Sequence, residues 1–536
     1  MMSILKKITG GHRQNTSDHR QTTGTTRATS LDTCPEDVLL DIASYLSRRD
    51  LLNLRLVCPH LNSTFAPLTL RDVHITFRAD HSQQLDSSPL PNLYRYAHSI
   101  HVRVEPNVHI PRRLLSPVRK TLGRLHSLRA AQLTWGFSRN VDGYIEKMAV
   151  AILRATNGKL EKLTLRLGPY LKTFPKALHG IRGLISLTIE HDPEPWPWVC
   201  GPSFYLSGCK CAPFRMGTSI APLLIANPQI EELTVVHGCR KNRISPNDIL
   251  SPAFPRFKTL VVNGLGFPSS RSGIHVVDNP ALLRNLRHLQ VLTPYSQSNL
   301  DPLWILLKAA HTHLESLITR QVSPTLADYL ASFRGLHSLQ LRDIESGEEN
   351  SSTDVANTFL TGVLPRHAST LERLAVGLAY GVHFLPGWSF EADRWASCLP
   401  SLTNLRSLAI HPSLANGNGG AMIDTTTMIS PYQIVIDHVQ YLPRLAEVTF
   451  LQTVTWVSPS YLERLDLNPT LGLWMQMYCE AVPKLRGTTG RPYHLYSEHV
   501  ASTVTRKDAV GPVPVFGWTI PTLRPAPYVC WSRDLS

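Results

Sequence analysis

Four residues near the middle of the chain have side chains of the kind that bind zinc. His191, Cys200, Cys209 and Cys211 together supply one imidazole and three thiols, enough for a tetrahedral site. Their spacing lacks a paired Cys-x-x-Cys segment, and prolines crowd the same stretch. We therefore expect an ordinary insertion loop with free thiols, and a zinc site is the alternative.

Other patterns of chemical residues are weaker. His311 and His313 lie two residues apart, which suits either a metal pair or, as we expect, a polar loop. The chain has no Gly-x-Ser-x-Gly turn, no phosphate-binding glycine loop with its lysine, and no His-Glu-x-x-His helix. We therefore expect a protein that is not an enzyme and that uses no metal or cofactor.

Basic residues recur within a repeated Leu-x-x-Leu-x-Leu motif. Side chains alternate along a strand, so positions three, five and seven of each copy share the face opposite the leucines. The basic residues at these positions are His101, Arg103, Lys162, Arg166, His288, Arg320, Arg342, Arg373 and His411, and the acidic ones are Glu190, Glu232 and Glu447. Two interpretations stay open. Lys162, Arg166, His288, Arg320, Arg342, Arg373 and His411 form a binding surface for an acidic or phosphorylated protein substrate, or the face is merely solvated.

The repeated motif predicts the architecture that must position these residues. Clear copies begin at Leu160, Leu184, Ile230, Phe257, Leu286, Leu336, Leu371, Leu405 and Leu445, and weaker ones at Ala97, Leu125 and Leu314. Helical signals fall between them, over Asp142 to Ala155 and after Ser323-Pro324 and Ser430-Pro431. This alternation is typical of leucine-rich repeats. We predict an α/β fold, a curved solenoid with a parallel sheet on its concave face.

Composition limits the remaining classes. The chain has 536 residues, a net charge of +14 and a pI near 9.4. That charge permits nucleic-acid binding, so a basic nucleic-acid-binding solenoid is our alternative function, although aromatic stacking residues do not interleave with the basic positions. Nine cysteines without a repeated spacing indicate reduced thiols, so we expect a cytoplasmic or nuclear protein. No apolar run is long enough for a membrane helix, and we expect no membrane partner.

Residues 34 to 61 have the apolar spacing of short helices. Val38, Leu39, Ile42 and Leu46 form a helical face, and Asp50 is a candidate N-cap for a second helix. Pro59 ends that helix or opens a third at its first position. Three helices in so short a stretch bury little, so we expect part of the apolar face to need a partner.

This order of residues resembles the F-box family. Pro35, Asp37, the Asp50-Leu51 pair and the Val57-Cys58 pair match the family pattern, whereas Cys34 replaces a leucine and Pro59-His60-Leu61 replaces a basic-aromatic ending. The resemblance implies docking to a Skp-type adaptor, and through it to a cullin, in an SCF ubiquitin ligase whose substrate the remaining chain selects. The implied adaptor-binding residues are Cys34, Pro35, Val38, Leu39, Ile42, Leu46, Leu51, Leu54, Val57 and Cys58.

We divide the chain accordingly. Residues 1–30 are a disordered basic tail, 31–77 the F-box and 78–92 a linker. Residues 93–466 are the repeat solenoid with an insertion at 191–219, and 467–536 are a C-terminal cap or tail.

Overall fold

The structure is a computed structural model of the chain. It describes residues 34–77, 95–104, 122–125, 127–135, 142–156, 158–167, 174–191, 216–237, 249, 256–263, 283–292, 300–344, 349–378, 388, 390, 392–410, 435, 438–439, 442–450, 493–497 and 501–504. The chain divides into two compact units, Met1–Arg71 and Asp72–Ser536.

The described part of the first unit, residues 34–71, contains three short helices, as predicted. They are α1 (Glu36–Ser44), α2 (Arg48–Leu54) and α3 (Pro59–Thr69). Pro59 occupies the first position of α3, where its missing N–H leaves no hydrogen bond unmade.

The second unit is built on one sheet whose strands follow each other in chain order. Within the described residues the fifteen strands are β1 (Asp72–Phe77), β2 (Ser99–Val104), β3 (Ala130–Trp135), β4 (Lys162–Leu167), β5 (Ser186–His191), β6 (Glu232–His237), β7 (Thr259–Asn263), β8 (His288–Leu292), β9 (Ser316–Thr319), β10 (Ser338–Ile344), β11 (Arg373–Leu378), β12 (Ser407–Ile410), β13 (Glu447–Phe450), β14 (Tyr493–Ser497) and β15 (Ala501–Val504). Neighbours from β1 to β14 are parallel, and β15 is antiparallel to β14.

Burial alternates along most strands in the predicted frame, whereas in β9 Leu317, Ile318 and Thr319 are all buried. In β4, Leu163, Leu165 and Leu167 are buried, while Lys162, Thr164 and Arg166 are exposed or half-buried. The buried side chains of successive strands join one hydrophobic core that runs from Phe77 to Val448. We call the side of the sheet opposite this core the open face. The mixed helix-and-strand fold class is confirmed.

Helices in the connections complete the core. They are α4 (Asp142–Ala155), α5 (Met216–Ile225), α6 (Asp301–Ala309), α7 (Pro324–Ala331), α8 (Glu349–Thr358), α9 (Leu364–His367) and α10 (Ala392–Cys398). A π-helical turn (Phe359–Val363) joins α8 to α9, and 3₁₀ turns span Lys176–Gly180 and Leu399–Ser401. The predicted helix over Asp142–Ala155 is confirmed, and so is the cap at Ser323, whose Oγ accepts the Leu326 N–H at 3.2 Å. Ser430-Pro431 lies outside the described residues.

One backbone arrangement recurs where each repeat begins. The carbonyl of the second motif residue accepts two N–H groups from the next repeat, those of its second and third residues. For example, the Arg129 carbonyl accepts from Glu161 and Lys162 at 2.8 and 3.0 Å. The pattern repeats in eleven consecutive steps, from His98 to Ala446. These steps link twelve repeats in a common register.

Some predicted boundaries are wrong. The weak copy assigned to Leu125 begins at Leu128, because Ala131 and Leu133 are the buried residues of β3. The F-box range ended at residue 77, yet β1 pairs with β2 and belongs to the second unit. The insertion ended at residue 219, yet α5 begins at Met216, beyond its proline-rich part.

Other predicted segments fall partly or wholly outside the described residues. The tail at 1–30 and the linker at 78–92 lie there entirely. Within 467–536, β14 and β15 extend the sheet. No helix in the described part of the chain has the length and apolarity needed to span a membrane.

Candidate functional site

The turns between the first three helices are fixed by local hydrogen bonds. Ser47 is the N-cap of α2, accepting the Asp50 N–H at 3.3 Å and donating its hydroxyl to Asp50 Oδ2 at 2.8 Å. The prediction that Asp50 is the cap was therefore wrong, although Asp50 does contribute to the capping turn. Cys58 caps α3, with its Sγ 3.5 Å from the Leu61 nitrogen.

Polar contacts also join α2 to α3. Arg55 follows α2, and it donates from Nε to Asn62 Oδ1 at 3.1 Å and from Nη1 to Thr69 Oγ1 at 3.0 Å. Burial lowers the pKa of the Arg55 guanidinium. The His60 ring contacts the Cys34 carbonyl at 3.2 Å, which ties the start of α3 to the segment before α1.

The core of this unit takes some of the residues predicted to bind a partner. Leu39 and Leu51 are buried with Ala43, Leu61 and Phe65. Cys34, Leu46, Leu54 and Cys58 are partly buried against that cluster, and Ile42 is half-buried. Leu39 and Leu51 therefore belong to the core of this unit, while adaptor binding by the listed residues stays a prediction.

The remaining predicted residues are exposed, together with apolar residues that the sequence pattern missed. Pro35, Val38 and Val57 lie at the surface, with Val38 44% and Val57 68% exposed. The missed residues are Leu40, Tyr45, Leu52, Leu56 and Leu68, of which Tyr45 and Leu56 are each 86% exposed. Most of the large exposed apolar side chains in the described part of the chain belong to this small unit. Such a concentration indicates an interaction surface.

An F-box-like family model matches residues 31–67. The match covers all of α1 and α2 and most of α3. It supports a role for this segment in F-box-mediated protein interaction. No curated protein matches the chain. The leucine-rich repeat interpretation rests on the pattern and fold alone.

Along the sheet, the predicted basic residues whose positions are described fall in two separate groups. His101 and Arg103 on β2 lie near Lys162 and Arg166 on β4, with only β3 between them. Arg320 follows β9, Arg342 lies in β10 and Arg373 begins β11. His288 begins β8, between the groups, and is exposed. Nothing is described of the Arg342 side chain, and His411 lies outside the described residues.

The acidic residues of the open face modify the first group. Arg166 pairs in register with Glu190 of β5, and Arg166 Nε lies 2.7 Å from Glu190 Oε2. Both side chains are partly exposed, so this ion pair adds little stability. It does neutralise part of the basic surface. The repeat motif alone did not reveal this ion pair.

Candidate metal residues are not brought together in the described part of the chain. Cys200, Cys209 and Cys211 lie outside the described residues, and His191 is buried at the end of β5. His311 and His313 are exposed, and the His313 ring stacks on Phe333 at 5.4 Å. Among the described residues, no group of three His, Cys, Asp or Glu side chains is placed to hold a metal ion.

Proposed function

We propose that this chain is the substrate-recognition adaptor of a Skp–cullin–F-box ubiquitin ligase. The F-box-like segment docks a Skp-type adaptor, which connects the chain to a cullin. The strands and helices that follow it in the chain form a leucine-rich-repeat solenoid that binds the substrate. The chain itself performs no bond chemistry. The observation that carries the proposal is the F-box-like match at residues 31–67, which coincides with exposed apolar side chains.

The arrangement of Leu56 and Val57 supports docking. Their N–H groups bond to the Asn53 and Leu54 carbonyls, each at 3.1 Å, which holds the turn after α2. Their side chains nevertheless point into solvent. Burying a side chain of this size against a partner contributes about 1.5–3 kcal/mol. A fixed backbone that presents apolar side chains loses little conformational entropy on binding.

The repeat part of the proposal rests on the chain-ordered parallel strands and the shared register. The strands from β2 to β13 bury their leucine positions in one core shared with the described connections, and no single repeat could bury that face alone. The open face then remains available over many strands. We propose that the substrate lies on this face, where the candidate basic residues are.

The test is co-purification with a purified Skp-type adaptor. Leu56→Asp and Val57→Asp place a charge in the proposed contact while leaving the core of the unit intact. We expect each to weaken adaptor capture at least tenfold, since burying an unpaired carboxylate is strongly unfavourable.

Ile305→Asp is the matched control. Ile305 lies on α6 of the second unit and is 60% exposed, so the same type of change is made away from the F-box-like segment. It should leave capture unchanged. Circular dichroism spectra of all variants should match the wild type. Normal capture by both Leu56→Asp and Val57→Asp would refute the docking proposal.

A further inference from the structure

The first strands of the open face gather basic side chains from three elements. His74 lies on β1, His101 and Arg103 on β2, and Lys162 and Arg166 on β4. We call these five residues the β1–β4 basic cluster. All are exposed or half-buried, so the cluster is accessible.

The strand register sets the spacing within the cluster. Thr76, Arg103, Thr134, Arg166 and Glu190 are register partners on β1 to β5. Neighbouring strands lie about 4.8 Å apart, so the backbones of Arg103 and Arg166 are about 10 Å apart. Thr134 lies between them. Two long guanidinium side chains that flank a hydroxyl can converge on one oxyanion above it.

Histidine contacts hold the adjacent set of register partners, to which His74 and His101 belong. The His74 and His101 rings meet edge-on with their centroids 5.5 Å apart, and His101 Nε2 lies 3.1 Å from Thr134 Oγ1. Burial lowers the pKa of His101 most, and repulsion from His74, Arg166 and Arg103 lowers it further. Two guanidinium groups, one on the strand of His101 and one on β4, therefore act electrostatically on this point of the open face.

Arg166 retains donor capacity despite its acidic neighbour. Its Nε lies 2.7 Å from Glu190 Oε2, but the N–H is not aligned for a hydrogen bond with any acceptor in the described part of the chain. This nitrogen is itself buried, but the Arg166 side chain as a whole is 41% exposed, so a ligand would be bound by its terminal Nη groups. Asp72, another acid near the cluster, begins β1. It is aligned across the sheet with Lys162, which lies three strands away on β4.

We propose that the β1–β4 basic cluster is an oxyanion subsite that holds a phosphorylated or acidic side chain of a protein substrate, with Arg103 and Arg166 as the main donors and Thr134 between them. This inference rests on the proposed function, because it assigns part of the substrate contact to the first four strands.

The short extent of the cluster favours a protein segment over nucleic acid. It ends at β5, where Glu190 replaces a basic residue, and Glu232 begins β6. A nucleic-acid backbone needs a continued basic track with aromatic platforms for its bases. A single phosphorylated or carboxylate side chain needs only one such subsite.

The experiment measures binding of the full chain to short fluorescent peptides by polarisation. Three pools share a degenerate sequence and carry phosphoserine, glutamate or serine at the centre. We expect the phosphoserine pool to bind best and the serine pool worst. Arg103→Gln and Arg166→Gln should each weaken phosphoserine binding roughly 10- to 100-fold, the loss associated with hydrogen bonds to a charged group.

Arg334→Gln is the matched control, because Arg334 is exposed in the segment after α7 rather than on a strand. It removes the same charge and should leave peptide binding unchanged. Equal weakening by Arg334→Gln would overturn the subsite, as would equal binding of all three pools. Tighter binding of single-stranded RNA, with the same sensitivity to Arg103→Gln, would overturn the assignment to a protein segment.

Adaptor capture measured on the same variants separates the two proposals. Arg103→Gln should capture a Skp-type adaptor as the wild type does. If Arg103→Gln binds phosphoserine peptides as tightly as the wild type does, and capture of the adaptor is normal, only the subsite is rejected. Failed capture by the wild type, with selective binding of phosphoserine peptides, rejects only the ligase role.

Discussion

His367 should make one region of the repeat array sensitive to acid. The residue ends α9 and is buried. Its Nδ1 accepts the Leu336 N–H at 3.3 Å, so Nε2 carries the ring proton and donates it to the Leu330 carbonyl at 3.1 Å. The ring thereby links α7, the segment just before β10, and α9, and it can do so only while neutral.

The expected size of the effect follows from the pKa of His367. Burial lowers this pKa most, the hydrogen bond to Leu330 opposes the shift and Arg366 adds to it, and the resulting pKa is about 4. An unfolded histidine titrates near 6.5, so the opened state binds more protons between these two values. The stability that neutral His367 contributes is therefore fully present above about pH 6.5 and is lost as the pH falls toward 4. At pH 5 the loss is about 2 kcal/mol, or roughly thirtyfold in the opening equilibrium.

Hydrogen exchange at the Leu336 amide measures this opening directly. After correction for intrinsic exchange rates, its protection should fall roughly thirtyfold between pH 7.5 and pH 5. In His367→Asn the fall should largely disappear.

Asparagine is the suitable replacement because Asn227 makes the same kind of link. Its Oδ1 accepts the Leu184 N–H at 3.0 Å and its Nδ2 donates to the Ile181 carbonyl at 3.0 Å. His311→Asn, at an exposed histidine, should behave as the wild type does. The reasoning fails if His367→Asn and wild type lose protection equally between the two pH values.

Three further substitutions test the packing. Leu39→Ala should destabilise the first unit by roughly 2–5 kcal/mol through lost burial and a cavity, lowering its thermal midpoint by circular dichroism. Asn227→Leu leaves the buried Leu184 N–H unpaired, while the Ile181 carbonyl keeps the Arg182 Nη1 donor, so urea unfolding should show a loss of roughly 1–3 kcal/mol. Gly158→Ala should cost roughly 1–2 kcal/mol in the same assay, because φ is +74° and the new Cβ would lie 3.3 Å from the Gly180 carbonyl.

The residues of each strand that face the core could be predicted, because large aliphatic side chains mark these positions. Leu163 and Leu165 show this clearly, and the structure buries both. The one misplaced copy shows where the signal weakens. At Leu128 the next inward residue is Ala131, which is small enough to be read as surface, so the preceding Leu125 appeared to begin the motif.

The surface of the first unit could be predicted only in part. Val38 and Leu39 are adjacent, about 100° apart around α1, and both are apolar, yet only Leu39 is buried. The orientation of α1 depends on Leu61 and Phe65 of α3, which lie more than twenty residues away. Likewise, the Arg166–Glu190 pair depends on which residues of β4 and β5 are aligned, and the connections between repeats vary too much in length to reveal that.

The paired N–H groups at the start of each repeat have a consequence for how the array tolerates change. Each junction is defined by one carbonyl and two consecutive amides, so the alignment of neighbouring strands does not depend on the length of chain between them. From Leu314 to Leu336 the spacing is 22 residues, and from Leu184 to Ile230 it is 46, yet the junctions are alike. Connections can therefore gain or lose residues without shifting the open face. Whole repeats could be duplicated or deleted in the same way, which would move the residues on that face in steps of one strand spacing.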